Sequence, residues 1–365
     1  MHHHNEHLLW KFFPHKELTQ VYISSAIRNF AISLISLFVP LYLYKELGFP
    51  IEQVLYFFMF YAVTFAILTP LAAKFSARYG LKHSVLFSVP LYLLFVISLY
   101  FLPYYQIPLM IIAGLLGASQ AFYWMGMHLV FTRVSDHKHR GEEIGKRISI
   151  SILGAMFGPL IGGFLIKFVG FKPVFILTSS LLFFSAFFLF LSKEDHVSYH
   201  FSIRSLIDKR QWRNDLFFTA RGIHVIAAGV IWPMFIFLIL DDYFSLGLVG
   251  FLLSGISAIL VFLMGKYSDH HGKRKIVRWV VGFESLSWFL RALVTTVGHV
   301  FGATILGAFT YGVIEAPLGA MEYDKAKEKI ANYFVNREIF LCIGRILMLI
   351  FVLMADSLSG GLIFN

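Results

Sequence analysis

Arg28 and Arg221 are the residues whose chemistry is hardest to explain away, because each stands inside a long apolar stretch of the chain. Arg28 lies about nine residues into its stretch, or ~14 Å at 1.5 Å per helical residue, close to the middle of a bilayer. A charge at that depth costs roughly 2.5–3.5 kcal/mol on insertion scales and must find a partner or a wet cavity. Two readings follow. Opposed across a cavity, the two guanidiniums offer planar forks of donors that suit carboxylate or phosphate oxygens. Alternatively they neutralise Glu315 and Glu284 in ion pairs that hold the chain in one state. Ser25, Asn29, Ser33, Ser36 and Pro40 recur at helical spacing beside Arg28 and form a polar stripe. His224 falls one turn above Arg221, and Tyr311 one turn below Glu315. Gln120 and Trp124 are a turn apart, with His128 on the same face as Trp124. Arg28, Asn29, Ser33, Ser36, Gln120, Trp124, Arg221, His224, Tyr311 and Glu315 are the candidates for contacting a solute, on the condition that the first, fourth, seventh and tenth apolar stretches line a common cavity. Glu284 and Arg291, seven residues apart on one face, are expected to pair structurally, and Arg345 completes the charges inside apolar segments.

These residues need membrane helices to hold them. The chain has 365 residues, 58% hydrophobic and only 14% charged, whereas a soluble domain carries roughly 25% charged residues. Its apolar residues gather in blocks near the ~20 residues that cross hydrocarbon. Windows and breakers place eleven spans at 19–44, 51–73, 84–102, 107–133, 147–168, 173–192, 216–240, 246–267, 276–296, 298–320 and 337–355. The chain is thus expected to be an all-α polytopic membrane protein. Trp10, Tyr42, Tyr44, Tyr104 and Tyr105 sit at span ends, where interfacial aromatic belts form. The single cysteine, Cys342, excludes an intrachain disulfide framework.

Basic residues fall almost entirely on one side. Lys74, Arg78, Lys82, Arg133, Arg147, Arg204, Arg210, Lys273, Arg274 and Arg337 represent that side, against Lys45, Lys167 and Lys172 on the other. The asymmetry places the basic side and the N-terminus in the cytoplasm, across a bacterial inner membrane. The formal net charge of +10 is accounted for by topology, so no nucleic-acid partner is expected. The most polar segment, Lys193–Asp215, reads as an amphipathic linker on the anionic leaflet. It divides residues 1–192 from residues 216–365.

The two parts repeat. IRNFAISLISLFVP in span one matches ARGIHVIAAGVIWP in span seven, so Arg28 and Pro40 fall on Arg221 and Pro233. Lys74, Ser76 and Gly80 fall on Lys266, Ser268 and Gly272; LLGA at 115–118 matches ILGA at 305–308; Arg147 and Gly154 match Arg337 and Gly344. Two parallel six-helix repeats related by an axis along the membrane normal characterise one large transporter architecture.

Over its full length the chain resembles the major facilitator superfamily, and three motifs carry the resemblance. The first is the loop between the second and third helices of each half, G-x-x-x-D-R-x-G-R-[RK] in that family. The second half shows Gly265, Asp269, Gly272, Lys273, Arg274 and Lys275, while the first keeps Lys74 and Gly80 but has Ala77 where the acid belongs. The second motif is Gly154, Gly158, Pro159, Gly162 and Gly163 in span five, similar to G-x-x-x-G-P-x-x-G-G. Small residues four apart allow close helix approach, and the proline bends the span. In the family this signature points to antiport and export. The third, R-x-x-Q-G in span four, is half present as Gly117-Ala-Ser-Gln120-Ala121, without its arginine. The resemblance implies a secondary transporter moving a small solute by alternating access, with a proton or an exchanged anion as coupling ion, as a monomer. It also implies that spans one, four, seven and ten line a common cavity. A twelfth helix is implied to begin near Asp356 and is expected to be missing here, so that residues 216–365 hold five spans and eleven are present in all. A non-transporting or lipid-handling member of the fold is the rival reading. No Walker loop, HExxH motif or hydrolase carboxylate pair is present, so neither an enzyme, an ATP-driven pump nor a cofactor is expected.

Overall fold

The computed structural model describes residues 16–134, 140–190, 211–326 and 330–364. The linker expected at 193–215 lies mostly outside them. Eleven spanning units follow in order. They are α1 (Lys16–Ser36, continued by Val39–Leu41 and a π-turn, Tyr42–Glu46), α2 (Ile51–Tyr79), α3 (Leu81–Phe101), α4 (Leu109–Val134), α5 (Arg140–Ala155 and Phe157–Val169) and α6 (Phe171–Phe190). The second series is α7 (Trp212–Ile226, a π-turn at Ala227–Ile231, then Trp232–Leu240), α8 (Tyr243–His271), α9 (Lys273–Ala292), α10 (Val297–Lys325) and α11 (Ile330–Ala355). A short helix, α12 (Leu358–Phe364), comes last.

Among the described residues nine of these units are apolar and long enough to cross a membrane by composition alone. The apolar stretch of α6 is shorter, Phe171–Phe187, and α9 carries Lys273, Arg274, Lys275, Arg278, Glu284 and Arg291.

Several helices outrun the apolar windows that reveal them. α2 and α3 are separated by Gly80 alone, and α8 and α9 by Gly272 alone. Both glycines hold positive φ, +108° and +87°, a region open to glycine at little cost. Two helices therefore meet at one residue, and basic side chains around each turn sit on helix ends: Lys74, Arg78, Arg274 and Lys275 reach water, while Lys82 is buried. α10 likewise runs to Lys325 and α11 starts at Ile330, past the expected limits of 320 and 337.

Prolines explain the interruptions. Each lacks an N–H and crowds the carbonyl four residues back. α1 breaks after Ser36, four before Pro40; α5 breaks after Ala155, four before Pro159; the π-turn of α7 contains Gly229, four before Pro233.

The packing repeats as the sequence does. In the first half α1 packs on α5 and α6, α2 and α3 on α4, and α3 on α6. In the second, α7 packs on α11, α8 and α9 on α10, and α12 lies against both α7 and α9 as α6 lies against α1 and α3. The halves meet along two seams, α2 with α11 and α5 with α8.

Candidate functional site

Arg28 and Arg221 occupy matching places but different surroundings. Arg28 is buried, its guanidinium carbon 3.4 Å from the ring centre of Tyr123 on α4 and 5.9 Å from that of Tyr92 on α3. Its Nε and Nη2 have no hydrogen-bond partner among the described residues. Arg28 therefore neutralises neither Glu284 nor Glu315. Arg221 does pair, placing Nη2 2.5 Å from Glu315 Oε1 and Nε 3.6 Å from Glu322 Oε1. A cation stacked on rings gains up to about 2 kcal/mol, whereas burying an unpaired ion costs several kcal/mol. Arg28 is thus held by Tyr123 and Tyr92, and Arg221 by carboxylates.

The expected Glu284–Arg291 pairing is replaced by an intervening indole. Trp288 stands one turn from each: its Nε1 donates to Glu284 Oε1 at 3.0 Å, and Arg291 stacks 4.1 Å over its ring, with Trp232 at 5.3 Å. Glu284 Oε1 also lies 3.8 Å from His224 Nδ1. Gly307 makes room for this arrangement, since a Cβ there would sit on the Arg291 guanidinium.

The polar stripe of α1 does not act as one surface. Ser24 donates to the Ser185 carbonyl on α6, Ser25 packs on Met127 of α4, and Ser33 donates to its own helix at Phe30 where it meets Gly158. Asn29 is half-buried and Ser36 exposed. Gln120 accepts from Trp124 Nε1 at 3.0 Å, and Trp124 stacks on His128. Tyr311 lies within electrostatic range of Glu315 and Arg221.

From Arg221 a chain of charges runs to the basic face and across the halves. Glu322, beside Arg221, accepts from Arg337 Nε at 2.8 Å. Arg337 pairs with Glu338, whose Oε1 lies 3.1 Å from His128 Nε2 on α4. His128 Nδ1 is 2.7 Å from the Tyr323 hydroxyl, to which Arg147 Nη1 of α5 donates at 3.3 Å. His128 and Arg147 come from the first half; Tyr323, Arg337 and Glu338 come from the second. Sequence reasoning missed Glu322, Tyr323 and Glu338 because they fell in predicted loops or at span edges. The adjacent Arg337-Glu338 pair at the start of span eleven was the available signal.

The gate motifs are asymmetric. Asp269, at the end of α8, accepts from the Glu142 N–H in the first turn of α5 at 2.9 Å and pairs with Lys273 at 3.2 Å. A carboxylate at a helix N-terminus is favourably placed against the dipole. Lys273 reaches Asp324 as well, at 3.2 Å, while Arg274 and Lys74 are exposed. Ala77 gives the first half no counterpart.

Glycines set the helix spacing. A Cβ on Gly158 would overlap Ser33 of α1, and one on Gly162 would overlap the Leu34 carbonyl. A Cβ on Gly154 would come within 3.1 Å of Ala26, one on Gly163 would overlap the Tyr243 carbonyl of α8, and one on Gly145 would sit 2.9 Å from the Gly265 Cα.

On the opposite face Lys45 lies 3.3 Å from Asp241, and the Tyr243 hydroxyl donates to Glu46 at 2.8 Å. Asp242 caps α8 through Ser245 and meets Lys167 at 2.9 Å. Partial burial works against its charge, but hydrogen bonds from Lys167 and Ser245 outweigh that and hold its carboxyl below the ordinary aspartate range.

Two parallel six-helix repeats, joined along paired seams and carrying charged contacts at both faces, define a multi-pass transport protein. The chain belongs to the Major Facilitator Superfamily, whose sequence model matches residues 21–349. It is 30% identical over 335 residues to the multidrug resistance protein MdtG of Proteus mirabilis, covering 82% of each chain. It is 25% identical over 360 residues to the uncharacterized protein YqgE of Bacillus subtilis, covering 90% of this chain and 80% of that one. Among solved structures it resembles the human organic anion transporter MFSD10, with a TM-score of 0.70 at 11% identity, covering 95% of this chain and 96% of that one. A bacterial homologue of the iron transporter ferroportin gives a TM-score of 0.65 at 12% identity, over 95% and 94%. These last two likenesses concern the fold. The protein is a transporter, not an enzyme.

Proposed function

We propose that this protein is a secondary active exporter that moves a small anionic solute out of the cell by rocking its two halves. The single observation that carries the anionic reading is the Arg28 guanidinium, buried mid-helix with two nitrogens unpartnered and no carboxylate paired to it. Export is supported by the relationship to MdtG, named as a multidrug resistance protein, and by the glycine-proline run of α5. The halves divide at the linker near 193–215. The α2–α11 and α5–α8 seams form the rocking surface. The N-terminus and basic face lie in the cytoplasm of a monomer, and a proton or an exchanged anion supplies the driving force.

The test is transport in proteoliposomes against a panel of organic anions, cations and neutral drugs. Outward movement of anions that needs a proton or anion gradient, and falls on Arg28→Lys because the fork is lost, supports the reading. Transport of cations alone would sink the anionic assignment. Protease trimming of the N-terminus in sealed right-side-out vesicles would sink the orientation.

A further inference from the structure

On the face opposite the basic one, the turn from α7 to α8 ties itself to the first half at three consecutive residues. Asp241 meets Lys45 of α1 at 3.3 Å, Asp242 meets Lys167 of α5 at 2.9 Å, and the Tyr243 hydroxyl donates to Glu46 of α1 at 2.8 Å. At the offset that sets Arg28 on Arg221, these three fall on Gly48, Phe49 and Pro50, the turn from α1 to α2, which carries no charge. Gly48 and Asp241 both hold positive φ, +71° and +44°. Glycine takes that conformation at little cost, and an aspartate takes it only against some strain. An acid kept there points to a task for its side chain.

The three ties differ in what surrounds them. The Tyr243 ring is packed, 6.3 Å from Phe38 and 5.6 Å from Phe171 of the first half and 4.9 Å from Phe237 of its own. The Lys45–Asp241 pair instead borders a cavity of about 460 Å³, lined also by Tyr44, Phe237 and Leu238. There the ends of α1 and α7 are joined by charge beside open space. The pair is also wet, with side chains 53% and 75% exposed, and Lys167 is 42% exposed. Ion pairs of this kind are each worth little and are weakened by salt. The cross-half contacts of the basic face are buried by contrast, His128 and Glu338 among them.

We propose that Asp241, Asp242 and Tyr243 form a latch that closes the outer face, supplied by the second half alone and released by breaking its ion pairs. This rests on the rocking reading above and names what holds one of the two faces shut. With wet ties on this face and buried ties on the other, the outer face is the one that yields first. Tyr243, packed at the α5–α8 seam, stays in place while the ends of α1 and α7 part across the cavity.

The experiment measures the opening as a distance. Spin labels are placed on Glu52→Cys at the start of α2 and Val297→Cys at the start of α10, both exposed, in a Cys342→Ser background. Pulsed electron spin resonance then reads the separation of the two halves in the purified full chain in nanodiscs, with gel filtration to confirm folding. Lys45→Glu with Lys167→Glu sets like charges against Asp241 and Asp242 and leaves the cap of α8 untouched. In that variant the population at longer distance rises by about fivefold or more, as two exposed pairs are lost. Lys45→Arg with Lys167→Arg keeps both charges and the parent distribution. Should the glutamate variant fail to purify, Lys45→Gln with Lys167→Gln carries the same test. An unchanged distribution in the charge-removing variant, or equal opening in the arginine variant, overturns the latch. No solute is present, so failure of the anionic or export reading leaves this outcome untouched. Parent-like transport with an unchanged distribution would sink the latch and leave the rocking reading standing.

Discussion

The first half holds its mid-helix arginine with rings, and the second half holds the equivalent one with carboxylates. Arg28 faces Tyr123 and Tyr92; Arg221 faces Glu315 and Glu322. The same split recurs at the gate turns, where Ala77 stands in the first half and the helix-capping Asp269 in the second. The repeat thus preserves backbone and spacing while dividing labour. At this position one half surrounds its cation with rings, and the other ties it to carboxylates.

The largest expected effect tests that division directly. Arg221→Gln should lower stability by about 3–5 kcal/mol, since it leaves Glu315 buried without its partner; Glu315→Gln should cost less, because Arg221 keeps Glu322 at 3.6 Å. The double variant should recover most of that loss. Arg28→Gln removes a charge that no carboxylate balances, so its unfolding temperature should match or exceed the parent's while anion binding falls. Thermal unfolding of the four variants in detergent decides the matter. A loss at Arg28 as deep as that at Arg221 would break the contrast.

A middle-sized effect is expected at the glycine contact of the first half. Gly158→Leu should cost about 1–3 kcal/mol by overpacking α5 against Ser33 of α1, and should abolish transport while membrane insertion persists. The repeat-related contact of α11 with α7 at Gly344, where a Cβ would overlap the Thr219 carbonyl, should be equally intolerant. Wild-type transport by Gly158→Leu would show that close α1–α5 approach is dispensable.

The smallest effect concerns the gate acid. Asp269→Ala removes the acceptor for the Glu142 N–H and should cost about 0.5–2 kcal/mol, the range of a lost helix cap. It should also raise thiol accessibility of a cysteine placed at Ser149, which is buried on the α5–α8 seam with its hydroxyl on the Ala258 carbonyl, in a Cys342→Ser background. Unchanged accessibility would show that the second-half lock is decorative and that Ala77 marks no functional difference between the halves.

Composition and periodicity alone determined that this chain crosses a membrane many times, because apolar blocks of spanning length have no other solvent. They also revealed the parallel repeat, since Arg28, Pro40, Gly80 and Gly154 recur at a nearly constant offset. The break in α5 was legible from Pro159, but Pro70, Pro90 and Pro317 lie inside unbroken helices, so proline alone does not decide an interruption. The Arg221–Glu315 pair was within reach of sequence because both charges stand in apolar stretches and need compensation. What only the tertiary structure decided is which partners are near. Whether Arg28 meets a carboxylate or a tyrosine ring depends on how α3 and α4 rotate against α1. Trp288 separates Glu284 from Arg291 through side-chain placement that spacing cannot express. Glu322 and Tyr323 joined the interior because α10 continues past the apolar window that announces it, and Glu338, at the edge of an expected span, is brought to His128 of α4 by the packing between halves.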